Sequence, residues 1–327
     1  MHNDSLFQQI SDYCEKNKLL PSGSSVVVGL SGGPDSVFLL HFLKHYQQNN
    51  QLTLIAAHLN HEWRTAADAD QQFCADLAQR FNISFHTKKI SQLPVSIKHN
   101  GSKEENARNY RRFFLESVAQ EYGATAIALG HHANDQQETF FIRLLRGTTL
   151  SGLTGMKPKK DFYIRPLLDV RKEEIVQFLD THKITYCIDE TNDSPTFLRN
   201  RIRNDVIPAL KLCDSRFETQ FSRTISMIQQ TEQFLEQLTE KTFSQIAYQE
   251  NGSWYLNTQK LKTYDEFLQH RIIVHWLVKE QIPFVLTEQF VDEIMRFFVT
   301  SEKKTHQIHH AWKIKFDNST CAVIVKI

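Results

Sequence analysis

The stretch Val26-Val27-Val28-Gly29-Leu30-Ser31-Gly32-Gly33-Pro34-Asp35-Ser36 constrains the fold more than any other part of the chain. Three valines and a leucine predict a short buried strand, and Val37 to Leu43 predict a helix. The small residues between them form a tight turn. Such a turn aims several backbone N–H groups at one point, which also carries the positive end of the helix dipole and suits a phosphate. Gly32 and Gly33 let the backbone approach an anion closely. Ser31 and Ser36 add hydroxyl donors. The lysine of the G-x-x-x-x-G-K-[ST] loop is missing, which excludes a kinase-type or GTPase-type loop.

From residue 26 to about 130, strand and helix patterns alternate: a strand over Leu52–His58, a helix over Ala66–Phe81, a strand over Ile83–His86, a helix over Glu104–Tyr122 and a strand over Ala124–Leu129. This predicts an α/β fold, a parallel sheet with helices on both faces. Ligands then bind at the carboxyl ends of the strands. The Gly-rich turn, His58-Leu59-Asn60-His61 and Gly130-His131-His132 all follow strand ends, so three motifs converge on one edge. An amphipathic helix over Phe217–Leu238 predicts a connector to a smaller C-terminal α+β domain. Its strands are expected at Trp254–Leu256, Trp312–Phe316 and Ala322–Ile327, its helices at Phe267–Val278 and Phe290–Phe298, with a turn at Asp317-Asn318-Ser319. The expected domains are 1–216 and 217–327, in keeping with 327 residues.

Hydrophobic residues at 41% and charged residues at 23% are ordinary for a soluble globular protein. No run is long enough to predict a transmembrane helix, and the polar, acidic start reads as neither a signal nor a transit peptide. The five cysteines, Cys14, Cys74, Cys187, Cys213 and Cys321, are scattered without a C-x-x-C. A reducing cytoplasm is therefore expected, and no thiol pair near the motifs. The net charge of +1 neither supports nor excludes a nucleic-acid partner.

Other constellations carry chemistry. HLNHEWR places His58, His61 and Arg64 together. In the helix after Lys103, Glu104 pairs with Arg108 one turn on. Arg108 and Arg111 lie on one side and could hold a phosphate jointly. In GHHANDQQET, His131, His132, Asp135 and Glu138 suggest either a metal cluster or a carboxylate pair. The pair, holding an amine and taking its proton, fits better, because 132, 135 and 138 spread too far around a helix for a tight metal site. Arg143 and Arg146 follow. After Asp189-Glu190-Thr191-Asn192-Asp193, the residues Arg199, Asn200, Arg201, Arg203 and Lys211 form the densest basic segment, suited to a polyanion. Arg203 could instead pair with Asp189 or Asp205.

SGGPDS resembles the pyrophosphatase loop of ATP-dependent adenylating enzymes. HLNHEWR, EENARNYR, GHHANDQQETFFIRLLRGTTLSGLTGM, RPLL and DETNDSPTFLRNRIRNDVIPAL follow it in order. Together they resemble the tRNA(Ile)-lysidine synthetase family over residues 26 to about 210. Arg112 stands where that family usually has tyrosine and Asn134 where many members have aspartate. Longer members carry a further C-terminal domain. The resemblance implies ATP-dependent ligation of free L-lysine to carbon 2 of the wobble cytidine in the CAU anticodon of tRNA(Ile), through an adenylated cytidine, with AMP and pyrophosphate released. It implies ATP contacts at Ser31, Gly32, Gly33, Pro34, Asp35, Ser36 and His58, with Asp35 on Mg2+. Asp35, Arg108, His132, Asp135 and Glu138 are the implied catalytic residues, with Asp135 and Glu138 on the lysine amine. Arg111, Arg146, Arg199, Asn200, Arg201 and Arg203 are the implied tRNA contacts. A cytoplasmic protein with no membrane partner is implied, and a homodimer is allowed. The alternatives are a tRNA thiolase of the same superfamily, a catalytically inactive tRNA-binding protein and an amide-forming synthetase for a small molecule.

Overall fold

The structure is a computed structural model of the whole chain, and it describes residues 2–63, 65–94, 103–188, 197–285, 287–300, 304–317 and 320–327. Arg64, the acidic turn Asp189–Asp193, the side chain of Glu104 and the turn residues Asn318 and Ser319 lie outside the described residues. Two compact units result, Met1–Ile225 and Ser226–Ile327.

The first unit begins with α1 (His2–Lys16), β1 (Ser25–Gly29), α2 (Pro34–Asn50), β2 (Thr53–Asn60), α3 (Ala67–Arg80), β3 (Ser84–Lys89) and α4 (Lys103–Glu121). It continues through β4 (Ala126–Ala128), α5 (Ala133–Leu145), α6 (Leu150–Leu153), β5 (Lys159–Lys160), β6 (Tyr163–Ile164) and α7 (Lys172–Thr181). Among the described residues β1–β6 form one sheet, ordered β3-β2-β1-β4-β6-β5. Every pairing is parallel except that of the edge strand β5 with β6. Val26, Val27 and Val28 have no exposed surface, as a central strand covered on both faces requires. Alternation sends Val26 and Val28 into one core with Phe38, Phe42, Leu77, Ile175 and Leu179. Val27 enters the other, with Ile55, Tyr110, Phe114 and Leu115 of α4. Helices therefore cover both faces, as the alternating pattern predicts.

The sequence pattern did not reveal α1, α7 or the short β5–β6 pair. Three strands also differ in length from expectation. β2 runs on to Asn60, because its ladder with β3 continues to Asn60↔Lys89. His58 and Asn60 thus belong to the strand, and His61 alone follows it. β3 is longer than expected for the same reason, and β4 is shorter.

The basic segment forms α8 (Leu198–Arg201), a π-helical turn at Ile202–Val206 and α9 (Ile207–Cys213). Pro208 explains the wide turn. It lacks an N–H, and its ring crowds the carbonyl four residues back. The long helix α10 (Phe217–Ile246) contains the division between the units and extends beyond the expected Leu238.

The second unit adds β7 (Ala247–Glu250), β8 (Ser253–Asn257), α11 (Thr258–Leu261), α12 (Glu266–Lys279), α13 (Glu288–Thr300), β9 (Thr305–His309), β10 (Trp312–Phe316) and β11 (Cys321–Lys326). Its described strands form an antiparallel sheet ordered β7-β8-β11-β10-β9. Trp276, Phe243, Phe298, Ile294 and Ile314 centre its own core. Arg271 clamps the buried Glu232 with two bonds of 3.0 and 2.8 Å. Among the described residues no helix is long and apolar enough to cross a membrane.

Candidate active site

Gly32 adopts φ +85°, a conformation that favours glycine, and the turn delivers Gly33 as N-cap and Pro34 into the first turn of α2. The loop is held by its own serines. The Ser36 hydroxyl donates to the Gly33 carbonyl at 2.9 Å and accepts from the Ser31 N–H at 3.1 Å. Ser36 has one hydroxyl proton, so Ser31 must donate in their 3.1 Å hydroxyl contact. Ser36 is buried and acts as an internal latch of the loop, while Ser31 is exposed. His58 is also a buttress. Its Nδ1 lies 2.9 Å from the Leu30 carbonyl and must carry the proton there. Burial lowers the pKa of His58, against that hydrogen bond. Asn60 ties the end of β2 to α3 through Asp68 and Gln71, at 2.8 and 3.2 Å.

The turn after β4 packs directly on the start of α2. A Cβ on Gly130 would meet the Asp35 carbonyl carbon and oxygen at 3.0 Å each. This approach sets His132, the N-cap of α5, beside the loop. The backbone N–H of His132 donates to Asp135 Oδ2 at 2.9 Å. Its Nε2 lies 3.7 Å from Asp35 Oδ2 and 3.6 Å from Asp135 Oδ2. Asp35 also has a cationic partner that the sequence patterns did not flag: Lys172 at the start of α7, with Nζ 2.5 Å from Oδ1. Asn134 holds Lys172 in place by accepting its backbone N–H at 2.9 Å. A distant residue thus supplies the cation that the loop lacks.

Asp135 and Glu138, one turn apart on α5, sit in contrasting surroundings. Burial pushes the Asp135 carboxyl up, but His132, His131, the His132 N–H and Arg199 more than offset it and hold it below its ordinary value. Glu138 is 1% exposed, and burial raises it despite two arginines. Arg203 Nε donates to Oε1 at 2.6 Å, and Arg199 Nε lies 3.3 Å from Oε2. The π turn brings Arg203 onto Glu138 rather than onto the Asp205 of the alternative reading, and Asp189 lies outside the described residues. That engagement also takes Glu138 out of a metal cluster with His132 and Asp135. Among the described residues no three His, Cys, Asp or Glu side chains are grouped to hold a metal.

Cations surround the carboxylates. Burial, and next the charge of Arg108, hold Arg143 and Arg165 below their usual pKa. Burial also depresses His131, with Arg165, Arg108 and Arg111 acting in the same direction against Asp135. Arg143 Nη1 donates to the carbonyls of Gly152 and Gly155, at 2.6 and 3.0 Å. Gln136 exchanges two hydrogen bonds with Met156, at 2.8 and 2.6 Å. Together they pin the 147–156 segment onto α5. Neither role carries a local sequence signal. Arg111, Arg146 and Arg201 are exposed, and Asn200 is buried. Arg112 lies over the Tyr163 ring at 5.3 Å and pairs with Glu116, a structural contact.

The thiols contradict the expectation of no pair near the motifs. A Cβ on Gly32 would meet Cys187 Sγ at 3.1 Å and Cys74 Sγ at 3.4 Å. Helix and coil segments far apart in sequence bring them together.

A parallel α/β sheet with a Gly-rich loop, a facing lysine and two carboxylates of α5 at its carboxyl edge defines the class as an open α/β fold with its candidate site at the strand ends. Residues 4–210 match the model of the PP-loop domain, and the chain belongs to that family. It is 33% identical to a tRNA(Ile)-lysidine synthase of Bacillus cereus over 90% of this chain and 64% of the relative. The Clostridium perfringens synthase is 34% identical over 75% of this chain and 53% of its own. The Bacillus subtilis synthase is 31% identical over 88% and 62%. The chain thus spans less than two thirds of the length of these curated relatives. The U34-tRNA thiolase NcsA of Methanococcus maripaludis shares the fold, with a TM-score of 0.56 and 18% identity over 68% of this chain and 80% of its own.

Proposed function

We propose that the protein is an ATP-dependent tRNA-modifying ligase that joins free L-lysine to carbon 2 of the wobble cytidine in the CAU anticodon of tRNA(Ile). The observation that carries this reading is the meeting of Asp35, Lys172, His132 and Asp135 beside the glycine-rich loop at the carboxyl edge of the sheet. The names of the relatives support the substrate assignment.

Loop N–H groups receive the ATP phosphates, and Lys172 leaves Asp35 for the β- and γ-oxygens. Asp35 would be the carboxylate to hold an Mg2+ ion accompanying ATP, which would offset charge on the phosphates. The cytidine carbonyl oxygen attacks the α-phosphorus and pyrophosphate leaves. Arg108 offsets charge on the α-phosphate. The target base must leave its stack to reach this edge. Only about one lysine ε-amine in 10³ is deprotonated at neutral pH. Asp135, held ionised, takes the amine's proton as nitrogen attacks carbon 2 and AMP leaves. Glu138 positions Arg199 and Arg203 and is not the base, because both its oxygens face guanidinium groups.

A thiolase is the second reading, favoured by the thiols beneath Gly32. Burial pushes the Cys74 thiol well up, which makes it a poor nucleophile. Incubation with bulk tRNA, ATP and labelled lysine tests the proposal. Label in tRNA with AMP release proportional to it is expected. ATP turnover independent of lysine, or no turnover with tRNA present, overturns it.

A further inference from the structure

Cys74 on α3 has no exposed surface, while Cys187, in the coil after α7, is partly exposed. Neither is in a disulfide. They lie 113 positions apart in a numbering that runs from one helix to a later coil, yet both sulfurs fall within 3.4 Å of a single point beside Gly32. Cys74 Sγ is 3.9 Å from the Leu30 carbonyl, and the Cys187 N–H donates to the Gly32 carbonyl at 2.9 Å. The two thiols therefore grip the first half of the phosphate loop, one through its sulfur and one through its backbone.

We infer that Cys74 and Cys187 form an oxidant-modified dithiol whose closure to a disulfide disables nucleotide binding by the loop; the second half of this rests on the ATP reading given above. A hydroperoxide oxidises the accessible Cys187 thiol to a sulfenic acid and is itself reduced to water or an alcohol. Burial keeps the Cys74 thiolate scarce, so this step is slow, but the Cys187 sulfur lies beside the same point near Gly32, and the transient Cys74 thiolate attacks it there. The S–S bond forms, the S–O bond breaks, and the hydroxyl leaves as water with the Cys74 proton. A small dithiol reverses the reaction by exchange. Closure must bring the sulfurs to about 2.05 Å. Both now lie beside the position that a Cβ on Gly32 would take, and the Cys187 backbone is bonded to the Gly32 carbonyl. The shift is transmitted to a residue at φ +85°, whose conformation sets the direction of the loop N–H groups.

The full chain should be treated with hydrogen peroxide and mapped by mass spectrometry without reduction, and its ATP affinity measured by calorimetry before and after. A peptide linking Cys74 to Cys187 is expected. ATP affinity should fall by roughly tenfold or more, about 1.4 kcal/mol, and return with dithiothreitol. Cys187→Ser and Cys74→Ala should keep their ATP affinity through the same treatment. Absence of the linked peptide, a linked chain with unchanged affinity, or equal loss of affinity in Cys187→Ser each overturns the inference. Linkage is read by mass alone, so a reduced chain that fails to bind ATP overturns the loop reading instead.

Discussion

Asp35 is the residue on which the site's charges meet. Lys172 holds one oxygen, and His132 stands near the other. Lys172→Ala should raise the ATP requirement and lower kcat/KM roughly 10- to 100-fold, the scale of one charge-assisted hydrogen bond. Lys172→Arg should recover part of it, and steady-state pyrophosphate release measures both. An unchanged ATP dependence in Lys172→Ala would remove the lysine from phosphate binding. A second residue-scale prediction concerns acid stability. Burial first, and then Arg80 and His182, hold His41 down to about 4 from 6.5. Between those values the unfolded chain takes up a proton that the folded chain refuses. The resulting stability is therefore complete above about 6.5 and is lost as pH falls towards 4. His61, held to about 4 by burial, Arg111 and His58, acts in the same direction. Each should cost about 1–2 kcal/mol at pH 5. His41→Leu should flatten the melting temperature between pH 7 and 5, and an equally steep profile would contradict the assignment.

At the scale of elements, the site depends on how closely the starts of α2 and α5 approach. Gly130→Ala would place a methyl 3.0 Å from the Asp35 backbone, which cannot rotate away as a side chain could. The variant should lose about 1–3 kcal/mol and should separate Asp35 from His132, lowering adenylation as well as the melting temperature. Wild-type values of both would show that α5 can slide without consequence. The glycine itself is legible in GHHANDQQET, but its reason is not, because the backbone it meets lies far earlier in the chain. The same limit explains the other surprises. The valine run fixes β1 and the amphipathic stretches fix α3 and α4, since burial periodicity is local. Lys172 and the Cys74–Cys187 pair carry no local pattern; only the closed sheet brings them to the loop. Polarity makes His58 read as the end of its strand and Asn60 as a loop residue. In the fold they are strand residues whose polar atoms find partners in Leu30, Asp68 and Gln71. β5 and β6 are too short for any period to register.

For the whole molecule, a net charge of +1 gives little long-range attraction to a polyanion. Under the proposed function, affinity for tRNA must therefore come from a few local contacts. Arg201 is exposed, whereas Arg203 is bonded to Glu138. Arg201→Ala should therefore flatten the plot of log affinity against log salt by about 0.7–0.9 at unchanged stability, and Arg203→Ala should lower stability. The reverse pattern would reassign both. The last prediction concerns division of the chain. The first unit holds both hydrophobic clusters of the parallel sheet and every described candidate site residue, while the second has its own core. Where the first unit can be cut follows from α10. Phe221 lies 5.2 Å from Phe140, and Phe217 lies 6.4 Å from Phe141, so both cover the outer side of α5. Residues 1–225 keep this cover and residues 1–216 lose it. The longer fragment should fold, bind ATP like the full chain and lose tRNA-dependent lysine transfer. The shorter one should melt lower, since two half-buried aromatic side chains contribute about 2–3 kcal/mol through burial and ring contacts, and it should also bind ATP more weakly because α5 carries His132 and Asp135. Thermal denaturation and ATP titration of the two fragments decide this. Equal melting temperatures would show that the first turns of α10 are dispensable to the ATP-binding unit, and full lysine transfer by residues 1–225 would show that the second unit takes no part in the reaction.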